Sequence, residues 1–177
     1  MLESHDRPPL LGLIKAGVYL NESFTHHQLT MSSPVATPSS DPASIASHWL
    51  SMWAKACTNA DVNAFDSLFL PHGVYRDLLC LSWDFHSLNG RGNIAKFLGD
   101  DTRLARAGFH DIELDEDTEF GSPFFYPIPG APSHIQGIQF SFTLRISTPA
   151  ATAKGLTRLM KDLDGEWKAL TCFTTMW

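Results

Sequence analysis

Cysteine is scarce in this chain. Its three residues, Cys57, Cys80 and Cys172, lie far apart and without CxxC or CxxxH spacing. An odd, scattered set builds no disulfide framework, so a reducing, cytoplasmic setting is expected, with each thiol a small core residue. Long apolar runs are missing as well, none approaching the ~18 residues of a membrane span. The nearest, LLGLIKAGVYL over 10–20, is interrupted by Lys15 and preceded by Glu3 and Asp6. It lacks a small-residue cleavage site and is not read as a signal peptide. Basic clusters are absent too: 13 Lys and Arg stand against 19 Asp and Glu, a formal charge of −6. A nucleic-acid footprint or a polybasic membrane patch needs the opposite sign, clustered. Neither nucleic acid nor membrane is an expected partner.

Motifs for metals and common cofactors are also wanting. His26 and His27 sit together near the start, but no HxH or HxxxH pairs with a nearby acid farther on. The run Asp111, Glu113, Asp115, Glu116, Asp117, Glu119 lacks the calcium-loop spacing and its glycine, and reads as a solvated acidic edge. There is no GxSxG elbow. Gly90-Arg91-Gly92 precedes a helical pattern without the surrounding βαβ unit, so it reads as a turn and helix start. No metal and no cofactor is expected.

What the chain does have is bulk. Hydrophobic residues make up 44% of its 177 residues, with five Trp and twelve Phe, enough for one domain with a sizeable core. Residues 30–44, TMSSPVATPSSDPAS, are a Ser/Thr/Pro-rich linker by composition. Residues 1–40 are therefore expected to be a flexible extension and linker, and 41–177 a single domain.

Within that domain Asp41-Pro42 is an N-cap followed by a first-turn proline. Ile45, Trp49, Met52, Trp53 and Ala56 then recur at helical spacing. A second helix is expected from Asp61, with Val62, Phe65, Leu68 and Phe69 on one face, stopping at Pro71-His72-Gly73. Residues 73–90, GVYRDLLCLSWDFHSLNG, read as strand. A third helix carries Ile94, Phe97, Leu98 and Leu104. Strands are expected over 109–115, over HIQGIQFSFTLRIS, over AKGLTRLMKDL and over EWKALTCFTTM, the last two joined at Asp164-Gly165, a hairpin dipeptide. The Pro- and Gly-dense stretch 121–133 is long enough to be a lid. The order α-α-β-β-α-β-β-β-β is α+β: helices first, then a mostly antiparallel sheet wound over them.

That arrangement resembles the nuclear-transport-factor-2-like cone shared by SnoaL-like polyketide cyclases, ketosteroid isomerases and limonene-epoxide hydrolases. Three segments are also similar to the amino-terminal cone domain of fungal flavin-containing monooxygenases: Tyr75-Arg76-Asp77-Leu78-Leu79, Ser82-Trp83-Asp84-Phe85-His86-Ser87 and Asp164-Gly165-Glu166-Trp167-Lys168. The likeness covers about residues 48–175. It implies a cone-shaped roll with a pocket inside a strongly curved sheet, and pairing of two copies through the outer sheet face. The chain ends where the monooxygenases continue into nucleotide-binding domains, so their flavin activity is not carried over. A stand-alone cone acting on a polyketide or terpenoid intermediate is the expectation.

Strand alternation puts Tyr75 and Asp77 on one side and Arg76 on the other; the resemblance implies that the Tyr75/Asp77 side faces the interior. A carboxylate in a water-poor pocket gains proton affinity and suits general acid/base work. Asp77 has an equal alternative reading, as half of a structural ion pair with Arg76 or Arg145. Alternation also groups Asp84 with His86, an imidazole where the monooxygenase pattern has Arg; histidine exchanges protons near neutral pH and arginine does not. On the long strand His134, Gln136, Ile138, Phe140, Phe142 and Leu144 form one face, with His134 and Gln136 expected inward near a pocket mouth. Trp53 and Trp83 are expected pocket walls. The site expected from sequence thus has Asp77, Asp84, His86, Tyr75 and Arg76 in catalytic roles, and Trp53, Trp83, His134, Gln136, Arg145 and Phe140 against a small apolar substrate. The alternative is a non-catalytic ligand-binding or dimerisation module.

Overall fold

The computed structural model describes residues 41–116 and 121–177. The expected extension and linker, His26, His27, Asp117 and Glu119 lie outside the described residues.

Helix α1 spans Pro42–Thr58. The Asp41 carboxylate accepts from the Ser44 amide at 3.0 Å, satisfying one orphan donor of the first turn. Ala46, Trp49, Leu50, Trp53, Ala56 and Cys57 are its buried stripe, the three-and-four spacing of a core-facing helix. Asp61 caps α2 (Val62–Ser67) in the same way. This helix stops at Ser67, short of its apolar pattern, and Phe69 begins strand β1 (Phe69–Leu78). Pro71-His72-Gly73 therefore lies inside a strand rather than after a helix. The reason is a bulge: the pairing of β1 with the last strand shifts register between Phe69 and Val74, and a bulge tolerates a proline without an amide to give. A Cβ on Gly73 would stand 2.8 Å from the Ala169 carbonyl, so only glycine fits that approach.

Strand β2 (Phe85–Asn89) returns antiparallel to β1, with Asp77 opposite His86. Helix α3 (Arg91–Gly99) follows. It does not run on to Leu104 as expected: Asp101 and Thr102 take left-handed backbone in a 3-10 turn, and a separate helix α4 spans Arg103–Ala107. Strands β3 (Phe109–Leu114), β4 (Phe124–Pro127), β5 (Gln136–Ile146), β6 (Ala151–Lys161) and β7 (Trp167–Met176) complete the domain. The lid expected over 121–133 is in part strand, since β4 pairs antiparallel with the first residues of β5. The Asp164-Gly165 turn is present, with Gly165 at φ +85°.

The sheet runs β2-β1-β7-β6-β5-β3, with β1 and β7 parallel and every other pair antiparallel. Its inner face and the helices enclose an aromatic core. Trp53 meets Phe142 at 5.0 Å and Trp49 at 6.4 Å, while Phe65 meets Tyr75 at 5.5 Å and Phe69 at 5.6 Å. Among the described residues no helix is long and apolar enough to cross a membrane, and no group of three or more His, Cys, Asp or Glu is placed to hold a metal ion.

Candidate active site

Alternation along β1 turns Tyr75 and Asp77 to the interior, both within 1% of full burial, and leaves Arg76 exposed on the outer face. Asp77 is one of few polar side chains in the core. Its carboxylate sits at the end of β1, where the chain turns sharply: Leu79 takes a left-handed φ of +70°. That turn brings three main-chain amides onto the carboxylate. Leu81 donates to both oxygens at 3.1 Å, and the amides of Ser82 and Cys80 lie close enough to favour the charged form as well.

Two influences oppose each other at this group. Loss of water disfavours the charged form, while amide donors and a neighbouring imidazole favour it. Burial wins and pushes the Asp77 carboxyl from its ordinary 3.8 up to about 6; the amides and His86 pull the other way. The imidazole is that of His86, directly across the β1–β2 ladder, half-buried with its ring 4.6 Å from Phe97. Across the parallel ladder stands Thr174, whose hydroxyl shares a 2.8 Å hydrogen bond with the Tyr75 phenol. Burial pushes that phenol well above its usual range. Burial also pushes the Cys80 thiol up to about 12, where it is no nucleophile at neutral pH.

The structure thus brings together Asp77, His86 and Tyr75. It does not bring Asp84. The turn at Leu79–Asp84 resets the strand before β2 begins, so alternation cannot be counted through it; Asp84 is exposed and caps the adjacent Phe85 amide at 2.7 Å. Trp83 is 76% exposed, not a pocket wall. Trp53 and Phe140 are fully buried core residues packed among other rings. His134 and Gln136 are exposed, because His134 precedes β5 and Gln136 only begins it. Arg145 is exposed too and lies 3.7 Å from Asp111. With both arginines outside, the ion-pair reading of Asp77 is corrected: amides, not a cation, meet the carboxylate.

Sequence reasoning missed Thr174 and the Cys80–Ser82 amides. A threonine at an inward position of β7 was visible in the alternation Cys172, Thr174 once the register was known; the amides had no sequence signal.

Two clefts open on the domain. One, of about 260 Å³ between β2 and α3, is lined by Leu88, Asn93, Lys96 and Phe97. It shares Phe97 with the His86 ring. The other, of about 600 Å³, lies between α1 and β3 and is lined by Ser47, Ser51, Glu113 and Thr143 among others. Asp77 lines neither.

No family model matches the chain, and no curated protein matches it. Solved structures do. A domain of unknown function with a cystatin-like fold from Nostoc punctiforme aligns with a TM-score of 0.56 at 15% identity, over 78% of this chain and 79% of that one. A ketosteroid isomerase-like protein from Erwinia carotovora aligns at 0.49 and 13% identity, over 77% and 97%. An NTF2-like protein with a cystatin-like fold from Novosphingobium aromaticivorans aligns at 0.48 and 14%, over 76% and 81%. Identity this low shows fold alone. The fold is the cystatin-like α+β fold of the Nostoc domain.

Proposed function

We propose that the chain is a cofactor-independent enzyme that moves protons on a bulky, largely apolar intermediate, with Asp77 as the acid/base group. The observation that carries this reading is a carboxyl buried inside an aromatic core and titrating near 6, in register with an imidazole. A base poised near the working pH combines the right charge state with useful driving force, and burying one costs stability that a purely structural residue need not spend. His86 would carry the proton between Asp77 and the cleft beside Phe97. Tyr75, held by Thr174, would present a hydroxyl to a substrate oxygen. Isomerisation, epoxide opening or cyclisation of a polyketide- or terpenoid-type compound fits this set. The segments similar to fungal flavin-containing monooxygenase domains support placing that chemistry in secondary metabolism.

A second reading, a non-catalytic binding or dimerisation module, is favoured by one observation: the Asp77 oxygens already have amide partners and the interior is filled by rings. Purified protein incubated with the epoxide or polyene product of a biosynthetic oxygenase should convert it, as followed by chromatography. An unchanged product with wild-type protein supports the module instead. Pairing of two copies is proposed through the outer sheet face, where Leu156 and Phe173 stand side by side in register and half-buried. Light scattering should return twice the chain mass, and a Leu156→Arg variant the mass of one chain.

A further inference from the structure

The turn after β1 is unusual for its composition. Leu79 is neither glycine nor asparagine, yet it holds φ +70°, a region that L residues with a bulky side chain rarely occupy. A strained residue is kept only where its surroundings over-determine it. Here the Leu81 amide donates to both oxygens of one carboxylate, and the amides of Cys80 and Ser82 lie close enough to favour its charged form. Consecutive amides converging after a left-handed residue form a concave anion seat, and the anion seated is a side chain from the same strand, two residues upstream.

We infer that Leu79 is a positioning residue: its left-handed backbone aims the amides of Cys80, Leu81 and Ser82 at Asp77 and so sets how tightly that group holds its proton. The inference rests on the acid/base reading of Asp77 for its functional meaning. Without the seat, burial alone would govern the carboxyl, and its proton affinity would lie well above its present level. With the seat, the group is held near 6, on the ionised side at neutral pH and still able to take a proton. The other titratable groups around Asp77 are Tyr75 on its own strand, Cys80 in the turn and His86 on β2; from β7 it meets Thr174, which does not titrate. Of these only His86 adds a favourable charge, so the amides supply most of the pull on the carboxylate.

The test uses full-length protein and carbon-13 NMR of the Asp77 carboxyl across pH. Leu79→Gly, at ease with positive φ, should leave the titration midpoint where it is. Leu79→Val, a β-branched residue that resists positive φ, should raise it by on the order of one pH unit. In the wild-type protein the amide proton resonances of Cys80, Leu81 and Ser82 should move with the same midpoint as the carboxyl. A folded Leu79→Val protein with an unmoved midpoint overturns the inference. Should that variant not fold, wild-type amides that ignore the Asp77 titration overturn it alone. These signals need no turnover, so the two readings fail separately. A protein that converts nothing yet couples amides to carboxyl loses the enzyme reading only. An active enzyme whose amides do not follow Asp77 loses the positioning role only.

Discussion

Asp77→Asn should slow conversion of the proposed substrate by roughly 10²–10⁴-fold, the usual worth of a positioned acid/base group, and should change stability in a pH-dependent way. The sign follows from the direction of the shift. The folded protein binds the Asp77 proton with a midpoint of about 6, against an ordinary 3.8, so this group's contribution to stability is fully present below about pH 4 and is lost as pH rises through 6. A rise from 3.8 to about 6 corresponds to about 3 kcal/mol at 1.4 kcal/mol per pH unit. Asn carries no such titration. Urea unfolding of both proteins at pH 4, 6 and 8 should therefore show the variant gaining about 2.5 kcal/mol on the wild type between the ends of that range. Other acids titrate equally in both and cancel. A difference that stays flat with pH would remove the basis for treating Asp77 as a poised base. The joint pattern of lost activity and relative gain at alkaline pH is the trade expected of a functional carboxylate, since activity often rests on a locally destabilised group.

Where periodicity was uninterrupted, the sequence already told the fold. The α1 stripe, the alternation of β5 and the Asp164-Gly165 hairpin follow from spacing and turn chemistry alone. Interruptions hid the rest. Pro71 and Gly73 look like a helix stop, and only pairing with β7 turns them into a bulge. Asp101 and Thr102 break a helix that Leu104 seems to continue by spacing. The site divides along the same line. Tyr75, Asp77 and Arg76 sit on one unbroken strand and took the faces alternation assigns. His86 reached Asp77 because β2 pairs back on β1, whereas Asp84 was counted through a turn that resets the phase. Exposed Trp83 and buried Trp53 show a further gap: large aromatic side chains fit a pocket wall, a core and a surface equally well until neighbours are known.

Gly155→Ala should be among the most damaging single-methyl changes in the molecule, destabilising it by about 2–3 kcal/mol. Gly155 lies mid-strand in β6, opposite Phe142 on β5 and Thr174 on β7. A glycine there weakens a strand unless something needs its missing side chain, and Phe142 does: its ring lies over the Gly155 backbone, where a Cβ would enter it. The ring has nowhere to retreat. It is fully buried and packs against Trp53 at 5.0 Å and Phe140 at 6.4 Å. Trp53 in turn is wedged between Phe65 and Phe109, so it cannot give way without disturbing both rings. The clash must be relieved by moving β6 away from β5 or by forcing Phe142 off its rotamer, and either spreads strain into the core. In a protein of this length the expected fall in Tm is roughly 5–10 °C by calorimetry. Adding Phe142→Leu to Gly155→Ala should recover part of the loss, because a smaller side chain makes room for the methyl, while Phe142→Leu alone leaves a cavity and is itself destabilising. Such non-additivity is the signature of two residues sharing one space. Purely additive losses would mean that the glycine is there for backbone reasons and that the ring does not depend on it.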